Sequence, residues 1–572
     1  MPVRLGIATV CLSGTLEDKL TAVAAAGFDG VEIFENDLVV SPWSPKQLRE
    51  RCADLGLTID LYQPFRDFEA VPPDVLAANL RRAEHKFDVM TQLGVDTMLV
   101  CSSVSPDAVD DDDLAAEQLH LLADRASAHG LRIAYEALAW GRFVDTYDHS
   151  WRIVRRAGHP ALGLCLDSFH ILSRGSDPTG IRVIPGDKIF FLQLADAPRL
   201  RMDVLQWSRH HRLFPGQGAF DLPGFLGNVL ATGYAGPLSL EVFNDVFRQS
   251  DPNHTAVDAL RSLVVLQEKL GLVEDLPAAP ALSGFGPVEI AGATTEVADT
   301  LGALGFTRRD DEWQQGAARL RLRPDDQPGA RISAIGVGSA DPEVAVRRAK
   351  RLLAVGLSGH TIAAPDGAVI AFADPEPVAA SGLLTGVDHV ALSAPFDDVD
   401  QTALFYRAVL GLEPEPPAEF AAPFGLVRSM SASDAGRNVR VVHNVAMLRR
   451  GEWAPAVPDP QHVAFRTDDA LACASALRAA GAPLLDIPDN YYADLDARLA
   501  PPPDLLAALR ENSVLYDRDE HGEYLHFFTR VLGGRVFFEV VRRVRGYLGY
   551  GTANAPVRMA AHRQSRLGDK EA

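Results

Sequence analysis

The stretch LCLDSFH, residues 164–170, closes an apolar run with a carboxylate at Asp167. Three more stretches repeat the arrangement: IAYEAL (133–138) with Glu136, FLQLADA (191–197) with Gln193, and LSLEVFN (238–244) with Glu241. A charge inside an apolar run is costly unless it is paired or coordinated. Four oxygen-bearing side chains recurring in this way therefore predict one shared cation.

Outward from these four, short β-rich runs alternate with Ala/Leu/Arg-rich stretches of helical period up to about residue 275, a pattern of parallel strands separated by helices. Eight runs can be read: VRLGIAT, GVEIF, LTIDLYQPF, TMLVCS, RIAYEAL, LGLCLDSF, FFLQLAD and LSLEVF. Eightfold strand–helix repetition predicts a (β/α)8 TIM barrel, in which chemistry sits at the C-terminal strand ends. The four ligand candidates close the fifth to eighth runs, as that rule requires. A doubly wound sheet would not bring four successive strand ends around one point, and no GxGxxG follows the first run. Taken singly, each acid is as readily a helix cap or an ion-pair partner; the set carries the prediction. Glu32 and Glu35 in GVEIFE are further strand-end carboxylates without an assigned role.

Two or three carboxylates with an amide oxygen suit a hard divalent ion, Mg, Mn or Co. Near them in sequence are Arg66 in QPFRDFE, His170 in DSFH, and Ser208 and Arg212 in WSRHHRLFPGQG. Arginine forks match carboxylates and a histidine titrates near neutral pH, so the set suits proton abstraction beside a carbonyl.

The whole chain bounds these expectations. At 572 residues it predicts several domains, and 47% apolar with 23% charged residues is ordinary globular usage. A formal charge of -21 makes sustained binding to nucleic acid unfavourable, while leaving room for a local basic patch that binds an anionic metabolite. The five cysteines lack a CxxC spacing and read as reduced thiols. No apolar stretch is long enough to span a membrane, and the expected setting is the cytoplasm.

After the linker EDLPAAPALSGFGP (274–287) the barrel pattern gives way to short αβ units, and a second connector, ADPEPVAASGLLTG (373–386), divides them. His389 in VDHVAL, His462 in QHVAFRT and Glu539 in FFEVVRR form a candidate 2-His-1-carboxylate set, able to hold one face of an octahedral metal.

The first half resembles the xylose-isomerase-like barrel superfamily, with HRLFPGQGAFDLPGFL (211–226) similar to its PGxG signature. GVDHVALSAPFDDVDQTALFYRAVLGLEP (386–414) resembles a vicinal-oxygen-chelate module, and GPVEIAGATTEVADTLGALGFTRR (286–309) looks like a degenerate copy. With NYYADLDARL and YLHFFTRVLGGRVFFEVVRR, the region is similar to 4-hydroxyphenylpyruvate dioxygenase. The combination resembles the two-domain bacterial 3-dehydroshikimate dehydratases.

That resemblance implies an α/β barrel at 1–275, α+β vicinal-oxygen-chelate modules at 285–380 and 384–552, and a tail at 553–572 expected to be frayed surface. It implies dehydration of 3-dehydroshikimate to protocatechuate, with Glu136, Asp167, Gln193 and Glu241 as barrel ligands and a second divalent metal possible in the last module. His170 or a neighbouring base would remove the proton, Glu241 would share in catalysis, and Arg66, Ser208 and Arg212 would bind substrate. A sugar or hydroxypyruvate isomerase is the alternative. The second half would be a noncatalytic binding or assembly region, with a dioxygenase as the alternative, and pairing of such modules predicts a homo-oligomer.

Overall fold

Each of the eight β-rich runs forms a strand in the computed structural model, which describes residues 3–292, 295–327, 329–374, 382–422, 425–446 and 459–571. The strands are β1 (Leu5–Ala8), β2 (Gly30–Phe34), β3 (Thr58–Phe65), β4 (Thr97–Cys101), β5 (Arg132–Glu136), β6 (Leu162–Asp167), β7 (Ile189–Leu194) and β8 (Leu238–Leu240). All pair in parallel in sequence order, and β8 closes on β1 with Leu5 opposite Leu238. Helices between them start and stop where local chemistry dictates. Thr15 and Asp18 make a capping box ahead of the helix Leu16–Ala26, and Gly27 ends it in the left-handed region at φ 103°. The chain divides into two compact units, Met1–Asp275 and Leu276–Ala572.

The second unit holds two sheets with one topology. In the first, Leu282–Ala291 lies at the centre between Ala318–Arg323 and Arg331–Ser339. In the second, Gly386–Ser393 takes the same place between Arg440–Ala446 and Gln461–Arg466, and Val536–Arg545 lies beyond Gln461–Arg466. The order of the remaining strands matches position for position, apart from one extra strand, Ala418–Ala422, on the second sheet.

Two expectations change. The Gly/Pro-rich end of the first linker is already strand from Leu282 onward, because Gly284, at φ 144°, lets the chain enter the sheet where a side chain would be strained. The terminal segment is not frayed: Ala555–Glu571 is a helix, and its His562 is buried with Nε2 against the Thr529 carbonyl at 2.9 Å. Residues 375–381 of the second connector lie outside the described residues.

Candidate functional sites

Strand register sets the first site. Cys101 of β4 pairs with Glu136, Asp167 of β6 with Gln193, and Gln193 of β7 with Ser239, so the polar strand ends lie side by side. Glu241 follows β8 directly. Asp167 does double duty: Oδ1 caps the helix Ser168–Ser173, accepting from the Phe169 amide at 2.6 Å, while Oδ2 accepts from Arg212 Nη1 at 2.7 Å. The same Nη1 donates to Glu241 Oε2 at 3.1 Å.

Arg212, only 1% exposed, is the hub of this cluster. Its Nε and Nη2 reach Ser208 Oγ at 3.2 and 2.8 Å, and its plane stacks over Phe169 with Cζ 4.6 Å from the ring centroid. Glu136 is less well served. Cys101 Sγ donates to its Oε2 at 3.4 Å, and no donor among the described residues satisfies the buried Oε1.

The electrostatics follow from three carboxylates around one guanidinium. Burial would raise the Asp167 pKa, but Arg212 overrides it and holds the group below its usual range. Burial pushes Glu136 well up, with Asp167 and Glu241 adding to the effect. Glu241 is pushed up to about 7, burial outweighing Arg212.

The His170 ring faces donors on both sides: the Ala139 amide donates to Nδ1 at 3.0 Å, and Arg212 Nη2 lies 3.3 Å from Nε2. Nε2 lies 3.7 Å from Asp167 Oδ2 and 3.9 Å from Glu136 Oε1. Burial, with Arg212 and Arg66 adding to it against Asp167, lowers the His170 pKa to about 3.

Glu136, Asp167 and His170 offer ligand atoms within 4.8 Å of one another, and Arg212 ties Glu241 to Asp167. Arg66, Glu136, His170, Ser208, Arg212 and Glu241 line one cavity, together with Gln63, Cys101 and Trp140. Gln193 is turned elsewhere: its Nε2 donates to Glu32 Oε2 at 2.6 Å, and its Oε1 accepts from Cys165 Sγ at 3.4 Å. Glu32 also accepts from Gln63 and Ser239. Sequence reasoning left Glu32 unassigned and passed over Gln63, although both carry the strand-end polar signal used for the other four.

The second site lies on the central strands of the second sheet of the Leu276–Ala572 unit. His389 Nε2 and His462 Nε2 are 3.2 Å apart, and Glu539 Oε2 is 3.3 and 3.1 Å from them. All three side chains are buried. Asp388 accepts from His389 Nδ1 at 2.9 Å, which directs the Nε2 lone pair at the other two groups. Arg543 and Arg440 hold Asp388 in turn, and His389 with Arg543 keeps its pKa far below the usual range against burial. The remaining Glu539 oxygen accepts from His526 Nδ1 at 2.7 Å and Tyr524 OH at 3.2 Å, and Asn554 donates to His526 Nε2 at 2.9 Å. These supporting groups were not read from sequence; Asp388 in VDH and His526 in YLHFF are polar residues within strand runs and carried a signal.

Both clusters have the donor chemistry of divalent-cation sites: oxygen-rich in the barrel, two imidazoles and a carboxylate in the second sheet.

Comparison with known proteins follows the same two-part division. The family model described as xylose isomerase-like TIM barrel matches residues 20–265, and that of the glyoxalase/bleomycin resistance protein/dioxygenase superfamily matches residues 386–498. A 3-dehydroshikimate dehydratase of Pseudomonas putida is 42% identical over 98% of this chain and 98% of its own length. One of Pseudomonas aeruginosa is 43% identical over the same shares. A solved xylose isomerase-like TIM barrel/4-hydroxyphenylpyruvate dioxygenase fusion protein superposes with a TM-score of 0.90 at 41% identity, covering 98% of this chain and 100% of its own.

Proposed function

The chain belongs to the 3-dehydroshikimate dehydratase family, and from that membership we propose how the residues at the mouth of its barrel divide the reaction among them. The enzyme is a carbon–oxygen lyase that converts 3-dehydroshikimate to protocatechuate and water. The reaction breaks a C–H bond beside the ring ketone and a C–O bond one carbon further on. Tautomerisation then gives the aromatic acid.

The observation that carries the proposal is the cavity that joins Glu241, His170 and Arg66. Glu241, which lines this cavity, takes the proton beside the ketone and returns it to the departing hydroxyl, which leaves as water. His170 donates its Nε2 proton in a hydrogen bond to the ketone oxygen as negative charge gathers there. The backbone amide on Nδ1 supports this role for His170 in place of the base role expected from sequence.

Arg66 makes no side-chain hydrogen bond among the described residues and is the carboxylate anchor. Arg212, expected to share that task, is committed to Asp167, Glu241 and Ser208 and instead positions them. Ser208 likewise serves Arg212 rather than substrate.

Glu136, Asp167 and Glu241 would hold a Mg, Mn or Co ion, with Gln193 joining them by turning its amide oxygen from Cys165. The unsatisfied Glu136 oxygen and the excess of carboxylate over cation fit that ion. When bound, it supplies Lewis-acid polarisation of the ketone.

The test is ultraviolet absorbance with 3-dehydroshikimate and each metal, since dehydration makes an aromatic product. Unchanged substrate under all three metals would sink the reading. Arg66→Met should raise KM about 10- to 100-fold with kcat little altered. A change confined to kcat would remove the anchor.

His389, His462 and Glu539 would hold a second divalent ion without the dioxygenase reaction. Oxygen uptake with Fe(II) and hydroxyphenylpyruvate would overturn this. No helix among the described residues is long and apolar enough to cross a membrane. A cytoplasmic homo-oligomer completes the proposal, its size to be read by sedimentation.

A further inference from the structure

Arg66 enters the barrel cavity from the residue after β3, and no side-chain hydrogen bond among the described residues holds its guanidinium there. Its aim is therefore set by the backbone of the turn that follows, residues 67–70.

That turn is strained at both ends. Asp67 has φ 58° and Ala70 φ 55°, a left-handed region that aspartate tolerates and that alanine enters only where its surroundings hold it. One set of restraints comes from β5 and from the segment after β4. Asp67 Oδ1 accepts from the Val104 amide at 2.9 Å, and Glu69 Oε1 accepts from the Ser103 amide at 2.6 Å and from Tyr135 OH at 3.0 Å. The Ala70 carbonyl accepts from the Val109 amide at 2.8 Å.

The other set comes from the helix Pro73–Leu93 and centres on one amide. Asn79, 4% exposed, donates through Nδ2 to the Asp67 carbonyl at 2.7 Å and to the Phe68 carbonyl at 3.3 Å. Its Oδ1 accepts from Arg82 Nη1 at 3.0 Å, and Arg82 Nη2 donates to the Arg66 carbonyl at 3.3 Å. Directly or through Arg82, Asn79 thus reaches three successive carbonyls, the first of them that of the anchor itself. Phe68 is fully buried and packs on Phe65 with ring centroids 5.7 Å apart. Removing the Asn79 amide would leave sheltered carbonyls unpaired, a cost that a strained turn relieves by shifting.

We infer that Asn79 is a positioning residue of the dehydratase: it holds the 67–70 turn in its strained form and so aims Arg66 at the substrate carboxylate. Asn79 does not line the cavity and acts through the chain it holds. The inference rests on the proposal that Arg66 is the anchor.

Steady-state kinetics on the full-length protein separate this role from general stabilisation. Asn79→Ala should raise KM about tenfold with kcat within about threefold of the parent, since a misaimed anchor weakens substrate and transition state alike. In an Arg66→Met background the same substitution should change KM by less than about twofold, because the group it aims is gone. Asn79→Asp keeps the shape and the contact with Arg82 but loses the donors. It should match Asn79→Ala, and it decides the matter if the alanine variant fails to fold.

An unchanged KM in Arg66→Met would overturn the anchor reading and this inference with it. If Arg66→Met raises KM while Asn79→Ala leaves it alone, lowers kcat only, or adds its full effect in the double variant, the inference falls and the anchor stands. Loss of folding in both Asn79 variants would make the residue one of stability and overturn the inference as well.

Discussion

The buried glutamates of the barrel and the acids of the second site are shifted in opposite directions, while Asp167, alone among the acids at the barrel mouth described above, is held down by Arg212. In the barrel, Glu32, Glu69, Glu136 and Glu241 are all pushed up, with burial the largest cause at each. In the second unit, Asp388 and Glu539 are held down against the same burial, by His389 and Arg543 for the first and by His389, His462 and His526 for the second. The barrel mouth has more carboxylate than counter-charge, a donor set that suits a cation. The other site has already balanced its acids with its own bases, and its imidazoles do the receiving. On the proposed roles, the difference would separate a site that moves a proton from one that holds a ligand.

The strongest way to break that contrast is Glu241→Gln, which removes the proposed base while keeping its shape. Dehydratase kcat should fall by about 10³-fold or more, read by the absorbance of the aromatic product. Near-normal turnover would leave the barrel acids without a catalytic reason for their shifts.

Asp388→Ala attacks the other side. It strands Arg543 and Arg440 and should cost the second unit about 3–5 kcal/mol, seen in calorimetry as a lower transition temperature. A transition that does not move would mean that Asp388 balances nothing.

Glu69 sharpens the comparison through pH. It is 2% exposed, accepts from the Ser103 amide and from Tyr135 OH, and has its pKa pushed up to about 7. A folded-state pKa above the unfolded one means that the folded state binds the extra proton. Barrel stability therefore falls as pH rises from about 4.5 to about 7, by a total on the order of 3 kcal/mol. Glu69→Gln should raise barrel stability at pH 8 by that order and have little effect at pH 4.5. An equal effect at both pH values would place its origin in packing.

The smallest change is expected from His389→Ala, which should leave dehydration within about twofold of the parent while abolishing metal at the second site. Loss of dehydration in a folded variant would couple the two chemistries.

The barrel was legible in sequence because its signals are local. Eight β-rich runs became eight strands, and the acids at their ends became neighbours through register alone. Less legible was how charge is shared across the barrel mouth. Arg212 lies 45 residues beyond Asp167 and 29 before Glu241, and nothing in WSRHHR distinguishes it from the exposed Arg209 beside it. Gln193 could be read as an oxygen donor from its type, but its amide orientation depends on Glu32, on a distant strand. The terminal helix was misread because a polar, arginine-rich segment looks solvated. His562 and the Arg558 guanidinium lie against Phe528 and Phe537, rings that only the folded sheet brings to them.

The two sheets of the second unit share one strand order, yet the strands Leu282–Ala291, Arg331–Ser339 and Val369–Ala373 of the first, which answer to those bearing His389, His462 and Glu539, carry no histidine. Their one carboxylate, Glu289, is spent on Arg323. A repeated scaffold whose first sheet lacks these three side chains is free to diverge there without disturbing the cluster of His389, His462 and Glu539. It also offers protein engineers a blank copy of the site, where two histidines and a glutamate could be written in and compared with the original inside the same molecule.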